Sequence, residues 1–212
     1  MKDLIIIGAG GFGREVQWLI ERINENKKEW NLLGYIDDNM DCGTSINGYS
    51  VLGGLEYLSN FNDHKGNIVC AVGNSIIRRN LMNRIEMTYN IETPNIIDPS
   101  VKLSKHVKLG KGNIVCADSI LTVDIDIKDY CIINLDCTVG HDCIFDSFVT
   151  VYPSVNISGN VNIGKCVELG TGSHIIQGID ICDNVVVGAG ATVIRNIDEK
   201  GTYVGSPVKK VK

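Results

Sequence analysis

The stretch CIINLDCTVGHDC, residues 131–143, places three cysteines six residues apart and a histidine two residues before the last of them. Clustered cysteine and histidine suggest a metal or redox site, but the chain contains no CxxC pair. The spacing belongs instead to a longer pattern. Steps of six from Ile97 meet a large apolar residue at seventeen consecutive positions: Ile97, Leu103, Leu109, Val115, Leu121, Ile127, Ile133, Val139, Phe145, Val151, Ile157, Ile163, Leu169, Ile175, Ile181, Val187 and Val193.

A six-residue period fits neither an amphipathic helix nor an alternating strand. It predicts a parallel β-helix of triangular cross-section, in which each hexapeptide forms one side and eighteen residues complete a coil. Successive coils then stack at the strand spacing of roughly 4.8 Å. This hexapeptide pattern is typical of a left-handed coil. Cys131, Cys137 and Cys143 fall in the column of small inward residues, so we interpret them as core thiols.

The preceding residues, 1–94, have a different pattern, in which strand candidates alternate with helix candidates. This alternation predicts a small Rossmann-like α/β domain, followed by the β-helix over residues 95–212. Ser75 is the predicted N-cap of the second helix. The predicted apolar stripes of the two helices are Val16, Leu19, Ile20 and Ile23, and then Ile77, Leu81 and Ile85.

The composition limits the class of protein. The 212 residues carry a net charge of −5 and no basic block in the body of the chain, which argues against nucleic acid as a partner. The N-terminal apolar run is too short for a signal peptide or a membrane anchor. We therefore expect a cytoplasmic protein with reduced thiols and no membrane partner.

His141 and Asp142 occupy outward positions of the hexapeptide VGHDCI, so core packing does not explain them. A neighbouring carboxylate orients an imidazole for proton transfer. Eighteen residues further on, one coil above the histidine, lies Gly159, where a ligand can approach the backbone N–H. A base beside an amide donor suits acyl transfer, and Asn134 on the preceding side is a candidate for holding the acceptor. We predict no metal site. His64, His106 and His174 have no comparable partners, and we expect them to face solvent.

The sequence GAGGFG (8–13) follows a strand and precedes a helix, which favours phosphate binding. Taken alone, it suggests an NAD-dependent oxidoreductase. However, Asp37 and Asp38 follow Gly8 by nearly thirty residues, whereas the ribose-binding acid of dinucleotide folds follows by about twenty. The α/β segment is also too short for a complete dinucleotide fold. A tight turn without a ligand is the other alternative.

The unbroken hexad pattern, GHDC (140–143), GAGGFG and the ending VVVGAGATVIRNIDEKGTYVGSPVKKVK together resemble a family of bacterial sugar O- and N-acyltransferases. The resemblance covers essentially the whole chain. It implies acetyl-CoA as co-substrate and a homotrimer with active sites between subunits. It assigns His141 as the base, Asp142 as its acidic neighbour, and Gly159 to the thioester carbonyl. The implied acetyl-CoA contacts are Gly159, Thr150, Gly188, Ala189, Lys209 and Lys210. The implied nucleotide-sugar contacts are Gly10, Gly11, Phe12, Asp37, Asp38, Gly73 and Asn74.

The chain departs from the amino-sugar N-acetyltransferases of this family at Phe12 and Thr150, where some of them carry histidine. The acceptor therefore has alternatives. The leading hypothesis is N-acetylation of a UDP- or GDP-linked 4-amino sugar for bacterial surface glycans. The second is O-acetylation of a sialic acid or similar sugar. The third is a non-catalytic trimer that only binds a nucleotide-sugar.

Overall fold

The computed structural model describes residues 1–61 and 66–212. The elements of its N-terminal part are β1 (Lys2–Ile7), α1 (Gly11–Asn26), β2 (Trp30–Ile36), β3 (Ser45–Ile46), β4 (Tyr49–Gly53), a 3₁₀ helix (Leu55–Phe61), β5 (Asn67–Cys70) and α2 (Ser75–Thr88). The five strands form one sheet with the order β3-β4-β2-β1-β5, in which the edge strand β3 is antiparallel to its neighbour and the other neighbours are parallel. The predicted α/β class is confirmed.

Helix α1 buries most of the predicted stripe: Val16, Leu19 and Ile20 are nearly inaccessible, and Ile23 is partly buried. Helix α2 differs from the prediction in two respects. Its N-cap is Asn74, whose side chain accepts a hydrogen bond from the Ile77 N–H, and not Ser75. Its buried residues are Ser75, Arg78, Met82 and Ile85, whereas Ile77 is 58% exposed. The predicted stripe is therefore right for Ile85 and for the partly buried Leu81, and wrong for Ile77. Apolar character alone placed Ile77 inside, whereas the helix turns the charged Arg78 inward.

The C-terminal part is a parallel β-helix with three faces, as predicted. The first face contains β6 (Ile96–Ile97), β9 (Ile114–Val115), β12 (Ile132–Ile133), β15 (Thr150–Val151), β18 (Glu168–Leu169), β21 (Val185–Val187), β23 (Gly201–Val204) and β24 (Lys209–Lys210). The second contains β7 (Lys102–Leu103), β10 (Ile120–Leu121), β13 (Thr138–Val139), β16 (Asn156–Ile157), β19 (His174–Ile175) and β22 (Thr192–Val193). The third contains β8 (Lys108–Leu109), β11 (Asp126–Ile127), β14 (Ile144–Phe145), β17 (Asn162–Ile163) and β20 (Asp180–Ile181).

The coil length of eighteen residues is visible in the register, where Ile114 pairs with Ile132 and Ile132 pairs with Thr150. A residue in the left-handed backbone region recurs every six positions from Gly112 to Gly190, once at each corner of the prism. Some of these corner residues are bulky, such as Tyr130 (φ 59°) and Phe148 (φ 66°). Their rings stack at a centroid distance of 5.2 Å, so packing offsets the backbone strain.

The interior of the prism is filled by the hexad residues and by the small-residue column, including the three cysteines of residues 131–143. Cys131, Cys137 and Cys143 are inaccessible to solvent. Burial raises the pKa of the Cys131 thiol to about 12 and that of Cys137 to about 11. They are therefore core thiols, as predicted, and remain protonated near neutral pH.

The α/β domain packs against the first face of the β-helix. Ile96, Ile114 and Ile132 on that face share one apolar cluster with β1 and α1. An ion pair adds to this contact, since Arg22 of α1 donates to Asp98 at 2.6 and 3.0 Å. The predicted boundary at residue 94 falls in the segment between α2 and β6, and the division itself stays a prediction.

We predict that Asp98→Asn weakens the fold in a pH-dependent way. Burial alone would raise the pKa of Asp98, but hydrogen bonds from Arg22 and Ser100 lower it below its ordinary value. The ionised carboxylate therefore stabilises the fold above about pH 4, and this stabilisation is lost as the pH falls further. Urea unfolding should show a deficit at pH 7 that shrinks in acid. The exposed Asp124→Asn is the control, and a deficit independent of pH would contradict the prediction.

Candidate active site

His141 lies at the corner between the second and third faces, directly after β13. Its side chain is 53% exposed, and its Nδ1 lies 2.8 Å from Oδ2 of Asp142. Asp142 occupies the left-handed corner conformation (φ 60°), which aspartate tolerates better than most residues. The carboxylate therefore engages Nδ1 and leaves Nε2 as the nitrogen available to a substrate.

Gly159 lies one coil above and contacts the imidazole directly. A Cβ built on Gly159 would fall 2.5 Å from both Cε1 and Nε2 of His141, so a larger residue fits there only if the ring moves. Within residues 1–61 and 66–212, the Gly159 N–H has no hydrogen-bond acceptor. The imidazole therefore packs against a residue whose N–H is available to a ligand, an arrangement that suits base-assisted acyl transfer.

The glycine-rich loop joins β1 to α1 and leaves the start of the helix open. A Cβ on Gly13 would collide with the Gly8 carbonyl, so the close approach of loop and helix requires glycine there. Gly10 is the N-cap and supplies no side-chain cap, which leaves the first amides of α1 available to an anion. A Cβ on Gly10 would meet nothing within 4 Å, and Gly11 is similarly open.

The two acids after β2 line a cavity of about 290 Å³ beside this loop, together with Gly8 and Leu55. The Asp37 carboxylate accepts hydrogen bonds from the N–H groups of Ala9 and Asn39, both at 2.9 Å. Asp38 accepts from the Leu55 N–H at 3.0 Å. The cavity lies at the carboxyl ends of parallel strands, where α/β sheets bind ligands.

A second cavity of about 240 Å³, which we call the junction pocket, lies between the two domains. It is lined by Phe12, Glu15, Gly73, Ile132, Asn134, Thr150, Tyr152 and Pro153. The structure thus brings together four predicted residues that are distant in sequence: Phe12, Gly73, Asn134 and Thr150. The hydroxyl of Thr150 is buried and donates to the Gly73 carbonyl at 2.7 Å. Asn74 is exposed and caps α2.

The remaining predicted residues lie towards the C-terminal end of the prism. Gly188 and the exposed Ala189 follow β21 at the corner between the first and second faces. Lys209 lines a cavity of about 370 Å³ with Arg195. Lys210 pairs with Glu199 at 2.9 Å, and this hydrogen bond raises the pKa of the lysine.

The predicted residues therefore form separate groups. His141, Asp142 and Gly159 lie together on one corner, while Asn134 and the junction pocket lie beyond the opposite end of β13. Sequence reasoning did not identify Glu15 and Tyr152 in the junction pocket, because nothing in the hexad pattern indicates which outward positions meet the other domain.

Two of the three remaining histidines lie among the described residues. His106 and His174 are exposed as expected, and His64 lies outside the described residues. Across the described part of the chain, no group of three or more His, Cys, Asp or Glu residues is placed to hold a metal ion. No helix in residues 1–61 and 66–212 has the length and apolarity needed to cross a bilayer.

The chain is similar to acetyltransferases along its whole length. Residues 3–85 match the family model of the PglD N-terminal domain. The acetyltransferase domain of PglB from Neisseria gonorrhoeae FA1090 is 31% identical, with a TM-score of 0.89 over 100% of both chains, and it has also been solved with acetyl coenzyme A. A histidine-to-asparagine variant of perosamine N-acetyltransferase from Caulobacter crescentus, in complex with CoA and GDP-perosamine, is 26% identical, with a TM-score of 0.91 over 100% of this chain and 98% of that one.

A further relative is also a perosamine N-acetyltransferase. GDP-perosamine N-acetyltransferase of Escherichia coli O157:H7 is 27% identical over 191 residues, which cover 87% of this chain and 82% of that protein. The expected family, fold and co-substrate are thereby confirmed. The chain belongs to the bacterial sugar O- and N-acyltransferase family of the hexapeptide-repeat superfamily, and it is an acetyl-CoA-dependent acetyltransferase.

Proposed function

We propose that the protein transfers the acetyl group of acetyl-CoA to the amine of a UDP- or GDP-linked 4-amino sugar used in bacterial surface glycans. The observation that carries the proposal is the His141 imidazole lying against Gly159, whose N–H has no acceptor among the described residues. The similarity to perosamine N-acetyltransferases supports an amino sugar as acceptor. A cytoplasmic location stays a prediction.

In the proposed reaction, the amine nitrogen attacks the thioester carbonyl carbon while Nε2 of His141 accepts a proton from the amine. The Gly159 N–H donates to the oxygen that becomes negatively charged. The C–S bond then breaks, and the CoA sulfur receives the proton. Asp142 holds Nδ1 and balances the charge of the imidazolium. Because the thioester is already activated, the chain needs no covalent intermediate.

The two substrates have different places in this proposal. The nucleotide lies by Gly10, Gly11, Asp37 and Asp38, and the sugar extends towards the junction pocket. Acetyl-CoA runs from Gly159 towards Gly188, Ala189 and the lysines of β24. One full face of the prism separates His141 from Asn134 within a subunit. A homotrimer, in which one subunit's His141 faces the neighbour's junction pocket, brings the two halves together.

The test is an acceptor screen that follows release of the CoA thiol and identifies the acetylated atom by mass spectrometry and NMR. We expect turnover with a UDP- or GDP-linked amino sugar and an N-acetyl product. An ester product from a sialic acid would establish O-acetylation instead. Nucleotide-sugar binding with neither thiol release nor affinity for acetyl-CoA would indicate the non-catalytic alternative and contradict the proposal.

A further inference from the structure

A buried arginine connects the two domains. Arg78 of α2 is 1% exposed. On its own domain, its guanidinium donates to the carbonyls of Val72 (2.6 Å) and Gly73 (2.8 Å). On the β-helix, it donates to the carbonyls of Tyr130, Phe148 and Val149 and to the hydroxyl of Thr150. The side chain thus joins the loop after β5 to the first face of the prism.

A buried carboxylate makes a second connection beside it. Oε1 of Glu168 on β18 accepts hydrogen bonds from the N–H (2.8 Å) and hydroxyl (2.9 Å) of Ser75, the first residue of α2. Its Oε2 accepts from the hydroxyl of Tyr152 at 3.2 Å. A negative charge at a helix N-terminus is favourable. The same carboxylate therefore fixes the start of α2 and one wall of the junction pocket.

Both connections converge on groups that line the junction pocket. The Gly73 carbonyl accepts from Thr150 (2.7 Å) and from Arg78 (2.8 Å), so its position is determined from both domains. Gly73, Thr150 and Tyr152 all line the pocket. Buried charged networks contribute little net stability compared with apolar packing, so a requirement for one defined geometry explains this one better.

We propose that Arg78, Thr150 and Glu168 are positioning residues for the acceptor. They hold the loop 72–75 of the α/β domain against the first face, so that a nucleotide-sugar bound by the glycine-rich loop presents its amine at a fixed distance from the base. This inference rests on the proposed function. It also assigns Thr150 to the acceptor side of the reaction, although its family counterpart implied contact with CoA. Its hydroxyl already bonds Gly73 and Arg78, which leaves no proton for CoA.

The test uses Thr150→Val and Glu168→Gln, which preserve side-chain shape and leave Arg78 in place. Displacing a positioned substrate by about 1 Å can reduce its rate about 100-fold. We expect each variant to lower kcat/KM for the nucleotide-sugar by about tenfold, while the KM for acetyl-CoA stays unchanged. Thr88→Val is the matched control, because among the described residues the Thr88 hydroxyl bonds only to the Arg84 carbonyl of its own helix.

A higher KM for acetyl-CoA in Thr150→Val, or an unchanged kcat/KM for the nucleotide-sugar, would overturn the inference. So would a fall in kcat that equals the fall in folded fraction measured by circular dichroism, because the loss then reflects only less folded protein. If the unaltered protein turns over no amino sugar, the proposed function fails instead. Calorimetry then still tests the inference, because it measures binding without turnover. The inference requires that Thr150→Val and Glu168→Gln bind the UDP- or GDP-linked amino sugar more weakly than the unaltered protein and bind UDP or GDP equally well. The inference is overturned if the ratio of the two affinities, for the nucleotide-linked amino sugar and for the free nucleotide, is the same in the variants as in the unaltered protein.

Discussion

Replacing His141 with alanine is expected to lower kcat by a factor of about 10²–10⁴, the usual contribution of a general base. The KM for acetyl-CoA should stay the same, because the imidazole acts on the acceptor proton and not on the nucleotide of CoA. Steady-state assays with the acceptor found by the screen measure both quantities. The fold should be unaffected, since the His141 side chain is half exposed and lies outside the buried core of the prism.

His106→Ala is the matched control for this variant. His106 is also exposed and lies near the same corner of the prism, two coils below. The His106→Ala variant should have the same kcat as the unaltered protein. If His141→Ala has the same kcat as the control, His141 is not the general base and the proposed mechanism is contradicted.

The second large effect is expected from Gly159→Ala. The added methyl group would meet the imidazole at 2.5 Å, and the exposed ring is the part able to move. Because Gly159 is not in the left-handed backbone region, alanine introduces no backbone strain of its own. We expect kcat to fall about 100-fold through displacement of the base, with little change in the melting temperature.

A double variant separates this mechanism from a direct effect on the acyl donor. If the methyl group acts by displacing the ring, Gly159→Ala should have almost no further effect in the His141→Ala background. Equal losses in both backgrounds would contradict displacement and indicate that the methyl group blocks the thioester. The kcat values of the four proteins provide the measurement.

The β-helix was predictable because its repeat is in the sequence itself. Every hexad step from Ile97 to Val193 is apolar, and the coil places a residue above the one eighteen positions earlier. The same arithmetic predicted that Gly159 lies above His141. The corner conformations were not predictable in this way, since Tyr130 and Phe148 are poor sequence signals for a left-handed backbone.

The contact between the domains could not be derived from the repeat. Hydrophobic pattern reasoning placed Ile77 inside and overlooked Arg78, whose burial becomes favourable only when carbonyls of both domains surround it. Local pattern likewise gave no reason to assign Glu168 to the start of α2. These contacts depend on tertiary placement, which a single sequence does not encode in its periodicity.

The most direct test of the central claim is a crystal structure of the protein with acetyl-CoA bound. The account predicts that the thioester carbonyl oxygen lies within hydrogen-bond distance of the Gly159 N–H, with Nε2 of His141 facing the same carbonyl. A thioester bound away from that corner, or an imidazole turned from it, would contradict the account.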